Sequence, residues 1–314
     1  MSMTKKTELS EAAKHDRKAL RDTYETAYQL FLENMETAPT PKDWPLPYAI
    51  AERVQDVEWR TAFMGMQVNE DTSELINELN LWRENLLLLS IWIGILKDKP
   101  VDDDEAWSIQ RHFVDPLAFH CLFQPSATRD RFGLVAETAM HQANLTVIND
   151  YKDRLVQDDD MGGKKKRNRH LTRPEREKQL KSLGKGWKSF PPFKQALGMI
   201  DNKAYRGQTA NFRNRASHGI APRFRFGLTN FITRSIVPAT KIDIQPDGTV
   251  LETEIPGKLA VSYGFGGTPP LRFEDVYEAN MQQYSAAVRT FRAYEKLLGE
   301  MIDAMPKCAP SGDN

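Results

Sequence analysis

The chain has 314 residues, of which 40% are hydrophobic and 27% charged, enough material for a buried core and too apolar for a disordered polymer. Its 43 basic and 43 acidic side chains cancel, but the zero conceals a polarity: residues 162–234 carry 19 lysines and arginines against three acids, Glu175, Glu177 and Asp201. Two cysteines, Cys121 and Cys308, have no metal-ligand spacing and are too few for a disulfide framework, which fits a reducing, cytoplasmic setting.

The opening MSMTKKTELSEAAKHDRK lacks the apolar core of a signal peptide. Residues 6–37 contain no Gly or Pro and place Leu20, Tyr24, Tyr28 and Phe31 on one face, which predicts a helix that the prolines of TAPTPKDWPLP then break. A second helix is predicted over 47–66 and a third from about Thr72 to Lys97, with Leu75, Leu79, Trp82, Leu86, Leu89 and Ile93 as its stripe. Its run LLLLSIWIGIL, Leu86 to Leu96, is too short to cross a bilayer and is bounded by charges, so it reads as a buried segment and no membrane partner is expected. KPVDDDEAW starts a fourth helix, about 103–122, with acids in the first turn where the helix dipole favours them. QPSATRD reads as a turn with Ser126 capping a fifth helix, about 127–156.

The polar stretch from about 158 to 190 predicts a basic loop or disordered insertion. After SFPPF a sixth helix is predicted from about 192 to 217, with Phe193, Leu197, Ile200, Ala204 and Phe212 as its apolar face and Gly219 and Pro222 as its stop. Residues 241–263 change to alternating periodicity around Asp247-Gly248, the signal of a β-hairpin, and a last helix spans about 273–304. The expected class is all-α, with one hairpin inserted late.

The end of the sixth helix gathers Arg213, Asn214, Arg215, His218, Arg223 and Arg225 with no acid among them. At a helix C-terminus the dipole favours protonated histidine while the arginines oppose it, a balance that suits a proton-transfer group. The arginine fork matches phosphate oxygens. Together these side chains make a minimal site for phosphodiester cleavage: one residue manages protons, one stabilises charge growing on phosphorus, and an amide orients the substrate. Arg206 upstream and the cluster Lys164, Lys165, Lys166, Arg167 and Arg169 extend the basic surface available to nucleic-acid phosphates. Trp187 and Phe190 read equally as base-stacking platforms or as local packing. Cations favoured by the dipole alone would account for the charges, but not for the Asn-His pairing.

The segment RNRASH, Arg213 to His218, resembles the motif of the HEPN family (higher eukaryotes and prokaryotes nucleotide-binding): Arg, four to six residues, then His, often with a polar residue directly after the Arg. HEPN domains are compact helical bundles, and many are metal-independent endoribonucleases of CRISPR effectors, toxin–antitoxin pairs and abortive-infection systems. The resemblance implies an all-α, HEPN-like bundle over residues 69–306, preceded by an N-terminal helical extension at 1–68. It further implies Arg213 and His218 in catalysis with Asn214 in support, attack by the RNA 2′-hydroxyl, and no metal or other cofactor. RNA is the implied partner, together with a second copy in a homodimer and an antitoxin or defence-system protein. Two other roles occur in the family: a non-catalytic module that binds nucleic acid or a partner, and the HEPN partner of a nucleotidyltransferase.

Other patterns are weaker. His112, His120 and Cys121 lack a supporting carboxylate cluster and read as packed or surface residues rather than metal ligands. Glu137 and His141 lie one turn apart without an HExxH pattern and read as an ordinary helical pair, and GKGWKSF at 184–190 fails the P-loop spacing.

Overall fold

The computed structural model describes residues 11–39, 44–97, 99, 103–158 and 170–308. It divides into two compact units, residues 1–211 with 273–314, and residues 212–272.

The first unit is helical. Its helices are α1 (Glu11–Thr37), α2 (Ala49–Arg53), α3 (Ala62–Lys97), α4 (Asp104–Ile109), α5 (Asp115–Val147), α6 (Arg173–Leu183), α7 (Phe190–Leu197), α8 (Lys203–Gln208) and α10 (Phe273–Asp303). The core lies where α3, α5 and α10 pack together. Trp82, Leu75, Leu79, Leu86 and Leu89 of α3 are fully buried, as are Phe132 of α5 and Phe291 and Tyr294 of α10. Each such apolar side chain contributes about 1.5–3 kcal/mol on burial. The Tyr294 hydroxyl meets Thr72 Oγ1 at 3.0 Å, which satisfies a polar group inside that core. α1 lies on α3 through Phe31, stacked on Trp92 at 4.8 Å, and Trp92 stacks in turn on Phe113 at 4.6 Å. α3 is long and apolar enough to cross a membrane by composition, yet its stripe is the centre of this core.

Several boundaries differ from the expected ones, for local reasons. The segment expected as one helix over 47–66 stops at Arg53, passes through a single 3-10 turn, and then pairs Val57 with Lys307. Trp59 donates its indole N–H to the Val54 carbonyl and lies so close to Gly65 that a Cβ there would sit 2.7 Å from the ring. α3 therefore starts at Ala62, ten residues before the expected start at Thr72, and runs unbroken past residue 68. The turn expected at QPSATRD is absent: α5 continues through Pro125. An internal proline costs about 3 kcal/mol. Here its neighbours are held by tertiary bonds, Gln124 Nε2 and Thr128 Oγ1 both donating to Glu78 at 2.9 and 3.1 Å. A π-helical turn at Gln110–Val114 joins α4 to α5, and burial pushes the Asp115 carboxyl just after it up to about 6.

The described part of the expected basic insertion is ordered. Thr172 and Glu175 form a capping box that starts α6, and Trp187 and Phe190 are buried, Trp187 donating to Asn144 Oδ1 at 2.9 Å. Those two aromatics pack locally and are not exposed as base platforms. The expected sixth helix, 192–217, breaks into α7, α8 and α9 (Phe212–His218). Asp201 takes φ 50°, Asn202 caps α8 by accepting from the Tyr205 N–H, and Ala210 and Asn211 take φ 48° and 52°. Left-handed residues end a helix, and asparagine and aspartate tolerate that conformation best.

The second unit overturns the expected all-α, HEPN-like helical bundle. After α9 it is built on an antiparallel ribbon of two long strands, β1 (Thr229–Ile244) and β2 (Val250–Thr268), of 16 and 19 residues. The ribbon extends well beyond the expected hairpin at 241–263, and the chain is a helical unit plus a β unit. Its register pairs Ile232 with Phe265, Arg234 with Tyr263, Ile236 with Val261, Pro238 with Leu259, Ile242 with Glu252 and Ile244 with Val250. Side chains alternate across a strand, so these pairs share one face. That face is exposed throughout, with Phe265 95% accessible. The opposite face carries mostly small or polar residues: Thr233, Ser235, Ala260, Ser262, Gly264 and Gly266. Residues 255–258 form an irregularity opposite Ala239, between the Pro238–Leu259 and Thr240–Glu254 pairs.

Candidate nucleic-acid interface

α9 is only seven residues long, and its placement follows from one buried side chain. Phe212 is buried and stacks on Phe224 at 5.3 Å. At 100° per residue, Arg213, Asn214, Ser217 and His218 then fall on one arc opposite Phe212. All four are exposed, while Arg215 and Ala216, on the inner arc, are half-buried. Arg213, Asn214 and His218 make no side-chain hydrogen bond or ion pair among the described residues. The sequence motif is thus brought to one open helix face with its polar atoms available.

The other arginines divide by what holds them. Arg215 donates through Nε to the Ile220 carbonyl at 3.1 Å and through Nη1 to Thr268 Oγ1 at 2.8 Å, and its guanidinium lies 5.8 Å from the Phe231 ring. It ties α9 to the base of the ribbon, so this half-buried arginine, expected among the RNA-contacting residues, has two of its three nitrogens engaged within the unit. Arg223 is exposed, and its side chain lies over Gly227, where φ is +80° and a Cβ would come within 3.1 Å of Nη1. Arg225 is half-buried, takes φ 63°, and donates its backbone N–H to Leu271. Thr229 Oγ1 closes this loop, accepting from the Arg223 N–H at 3.1 Å.

In the helical unit, Arg206 is engaged as well. It grips buried Asp201 with two bonds, Nε to Oδ1 at 3.0 Å and Nη2 to Oδ2 at 2.7 Å. Arg173 shares that carboxylate at 2.7 Å and also bonds Asp130 at 2.9 Å. Burial alone would raise the Asp201 pKa, but the hydrogen bonds and charges of Arg206 and Arg173 outweigh it and hold the carboxyl below its usual range. Arg206 therefore holds the turn at Asp201 rather than standing ready for phosphate. Lys164, Lys165, Lys166, Arg167 and Arg169 lie outside the described residues.

Sequence reasoning does not find this arginine–aspartate network, although a signal exists. The basic stretch holds three acids, and all three are structural: Glu175 caps α6, Glu177 pairs with Arg129 at 2.8 Å, and Asp201 joins two arginines. A lone acid among many cations marks a place where cations are held. His141 is more than one half of a helical pair. It is buried, with Nδ1 against the Tyr151 hydroxyl and Nε2 against Asp153, both at 2.9 Å, while Glu137 faces Arg176 at 3.5 Å. The two histidine bonds fasten the segment after α5 back onto that helix.

Among the described residues no group of three His, Cys, Asp or Glu side chains could hold a metal ion. His112 Nδ1 meets the Tyr24 hydroxyl at 2.6 Å, and burial pushes the Cys121 thiol up to about 12. Comparison with protein-family models, curated proteins and solved structures finds no match to this chain.

Proposed function

We propose that the exposed face of α9 binds RNA and cleaves it without a metal, as its motif's resemblance to HEPN ribonucleases implies. The observation that carries this reading is the joint exposure of Arg213, Asn214 and His218 on one arc, with no protein partner engaging them among the described residues. Long polar side chains left free on one face are available for a ligand, and this set matches a phosphodiester. In the proposed reaction the RNA 2′-oxygen forms a bond to the adjacent phosphorus as the bond to the 5′-oxygen breaks. The products are a 2′,3′-cyclic phosphate and a 5′-hydroxyl. His218 carries a proton between the attacking and leaving oxygens, Arg213 stabilises the negative charge on the phosphoryl oxygens, and Asn214 orients the phosphate. A homodimer would present two copies of the arc to one RNA, and an effector of a defence or toxin–antitoxin system is the role that such chemistry serves.

A second reading, an RNA-binding module without catalysis, is favoured by a specific feature: one chain presents a single histidine on this arc, while general acid–base cleavage moves two protons. The test is RNA cleavage in EDTA by the wild type and by His218→Ala. The nuclease reading expects metal-free cleavage that is lost in the variant, with an all-DNA substrate left intact for want of the 2′-hydroxyl. Retention of RNA by both proteins with cleavage by neither supports the binding module.

A further inference from the structure

The apolar face of the ribbon has no partner in this chain. Phe265, Leu259, Ile236 and Ile242 are each at least 65% exposed, a pattern that single scattered surface residues do not make. A two-stranded ribbon is marginal by itself in water, so such a face needs a cover.

We propose that its cover is the same face of a second copy, packed antiparallel about a two-fold axis at the Pro238–Leu259 pair. The ribbon face is complementary to itself along its length. An isologous contact requires that each level of the face fit its own mirror level. With the axis at Pro238–Leu259, the Ile232–Phe265 level of one copy meets the Ile244–Val250 level of the other, apolar against apolar. The Ile236–Val261 level meets the Thr240–Glu254 level. The Arg234–Tyr263 level meets the Ile242–Glu252 level with β1 over the partner's β1, so Arg234 of each copy lies one strand spacing, about 4.8 Å, from the line of the partner's Glu252, and the pair occurs twice by symmetry. Neither Arg234, Glu252 nor Glu254 has an ion-pair partner among the described residues. A parallel arrangement would put the two Arg234 side chains at one level, one strand apart, with no carboxylate at that level.

The area is sufficient. Nine apolar side chains of this face are exposed. At about 60–120 Å² each, two copies would bury roughly 1,000–2,000 Å², which spans the ~1,200–2,000 Å² of a standard interface. The inference is independent of RNA cleavage, since it uses the ribbon alone and none of the α9 arc.

Light scattering and sedimentation of the full chain at micromolar concentration test it. The wild type should have the mass of a dimer, and Leu259→Asp with Phe265→Asp should have the mass of one chain, with an unchanged helical circular-dichroism signal because the sites are exposed. Arg234→Glu and Glu252→Arg should each weaken dimerisation roughly tenfold or more, and the double exchange should restore it. A monomeric wild type overturns the proposal, as does a dimer that both aspartates leave intact. A monomer that co-sediments with phosphatidylcholine–phosphatidylglycerol vesicles also overturns it, by assigning the face to a lipid surface. RNA cleavage by a monomeric variant would separate this interface from the nuclease reading without disturbing either measurement.

Discussion

At the scale of single residues, His218 and Arg213 of the α9 arc differ in what their loss should do. His218→Ala removes a proton carrier and should lower cleavage by about 10²–10⁴ while RNA retention stays within a few-fold. Arg213→Ala should lower turnover of bound RNA far more than affinity, because a charge that grows on phosphorus is felt only in the transition state. Single-turnover cleavage beside filter binding separates the two effects. Equal losses of binding and turnover would make Arg213 a docking residue. Asp115 offers a titration. Burial raises its folded-state pKa to about 6, above the ordinary carboxylate value, with Gln110 and Arg111 opposing only in part. Between about pH 4 and the folded-state value of about 6, the folded protein binds more protons than the unfolded chain. Stability therefore falls as pH rises through that window, and the cost is complete above it. Asp115→Asn should stabilise by about 1 kcal/mol near pH 7 and by little near pH 4, read from urea midpoints at the two pH values.

At the scale of elements, the sequence disclosed what depends on long periodic patterns. The stripe of α3 and the amphipathic α10 are both legible in apolar spacing, and α10 ends within one residue of its expected bounds. What it hid was set by contacts made across the chain. Pro125 reads locally as a break, yet Glu78, 46 and 50 residues from its bonding partners Gln124 and Thr128, holds the helix through it. Asp201 reads as one more polar residue within a helix, but two arginines fix it in a left-handed turn there. The ribbon was only half legible, because Phe231, Arg234, Val237, Pro238 and Thr240 all interrupt the alternation between Thr229 and Ile244. At the site, the Arg-Asn-x3-His spacing was readable, whereas the fate of Arg206 and Arg215 was not. A guanidinium bonded inside the protein and one free for phosphate have the same letter, and only the position of Asp201 or Thr268 tells them apart.

At the scale of the whole molecule, the basic character of residues 162–234 must be discounted by those internal bonds. Arg173, Arg206 and Arg215 are engaged, so the RNA attraction proposed for this stretch is left to its remaining cations, among them Arg213 and Arg223 near α9, the exposed lysines between residues 178 and 203, and Lys164, Lys165, Lys166, Arg167 and Arg169. Neutralising these last five should weaken RNA binding and flatten its dependence on salt. On a single strand the slope should drop by about 0.7 for each phosphate that is no longer neutralised, with turnover of bound RNA little changed. An unchanged slope would assign the whole attraction to the other remaining cations. The two-stranded ribbon has a consequence in time as well as in space. In such a ribbon alternate amides point inward to the neighbouring strand, and the rest point outward with no strand beyond to receive them. Hydrogen exchange along residues 229–268 should therefore run as a comb, slow and fast by turns, against uniformly slow exchange through α3, α5 and α10. A partner packed on the face leaves that comb in place, whereas a strand added at either edge would erase every second tooth on one side.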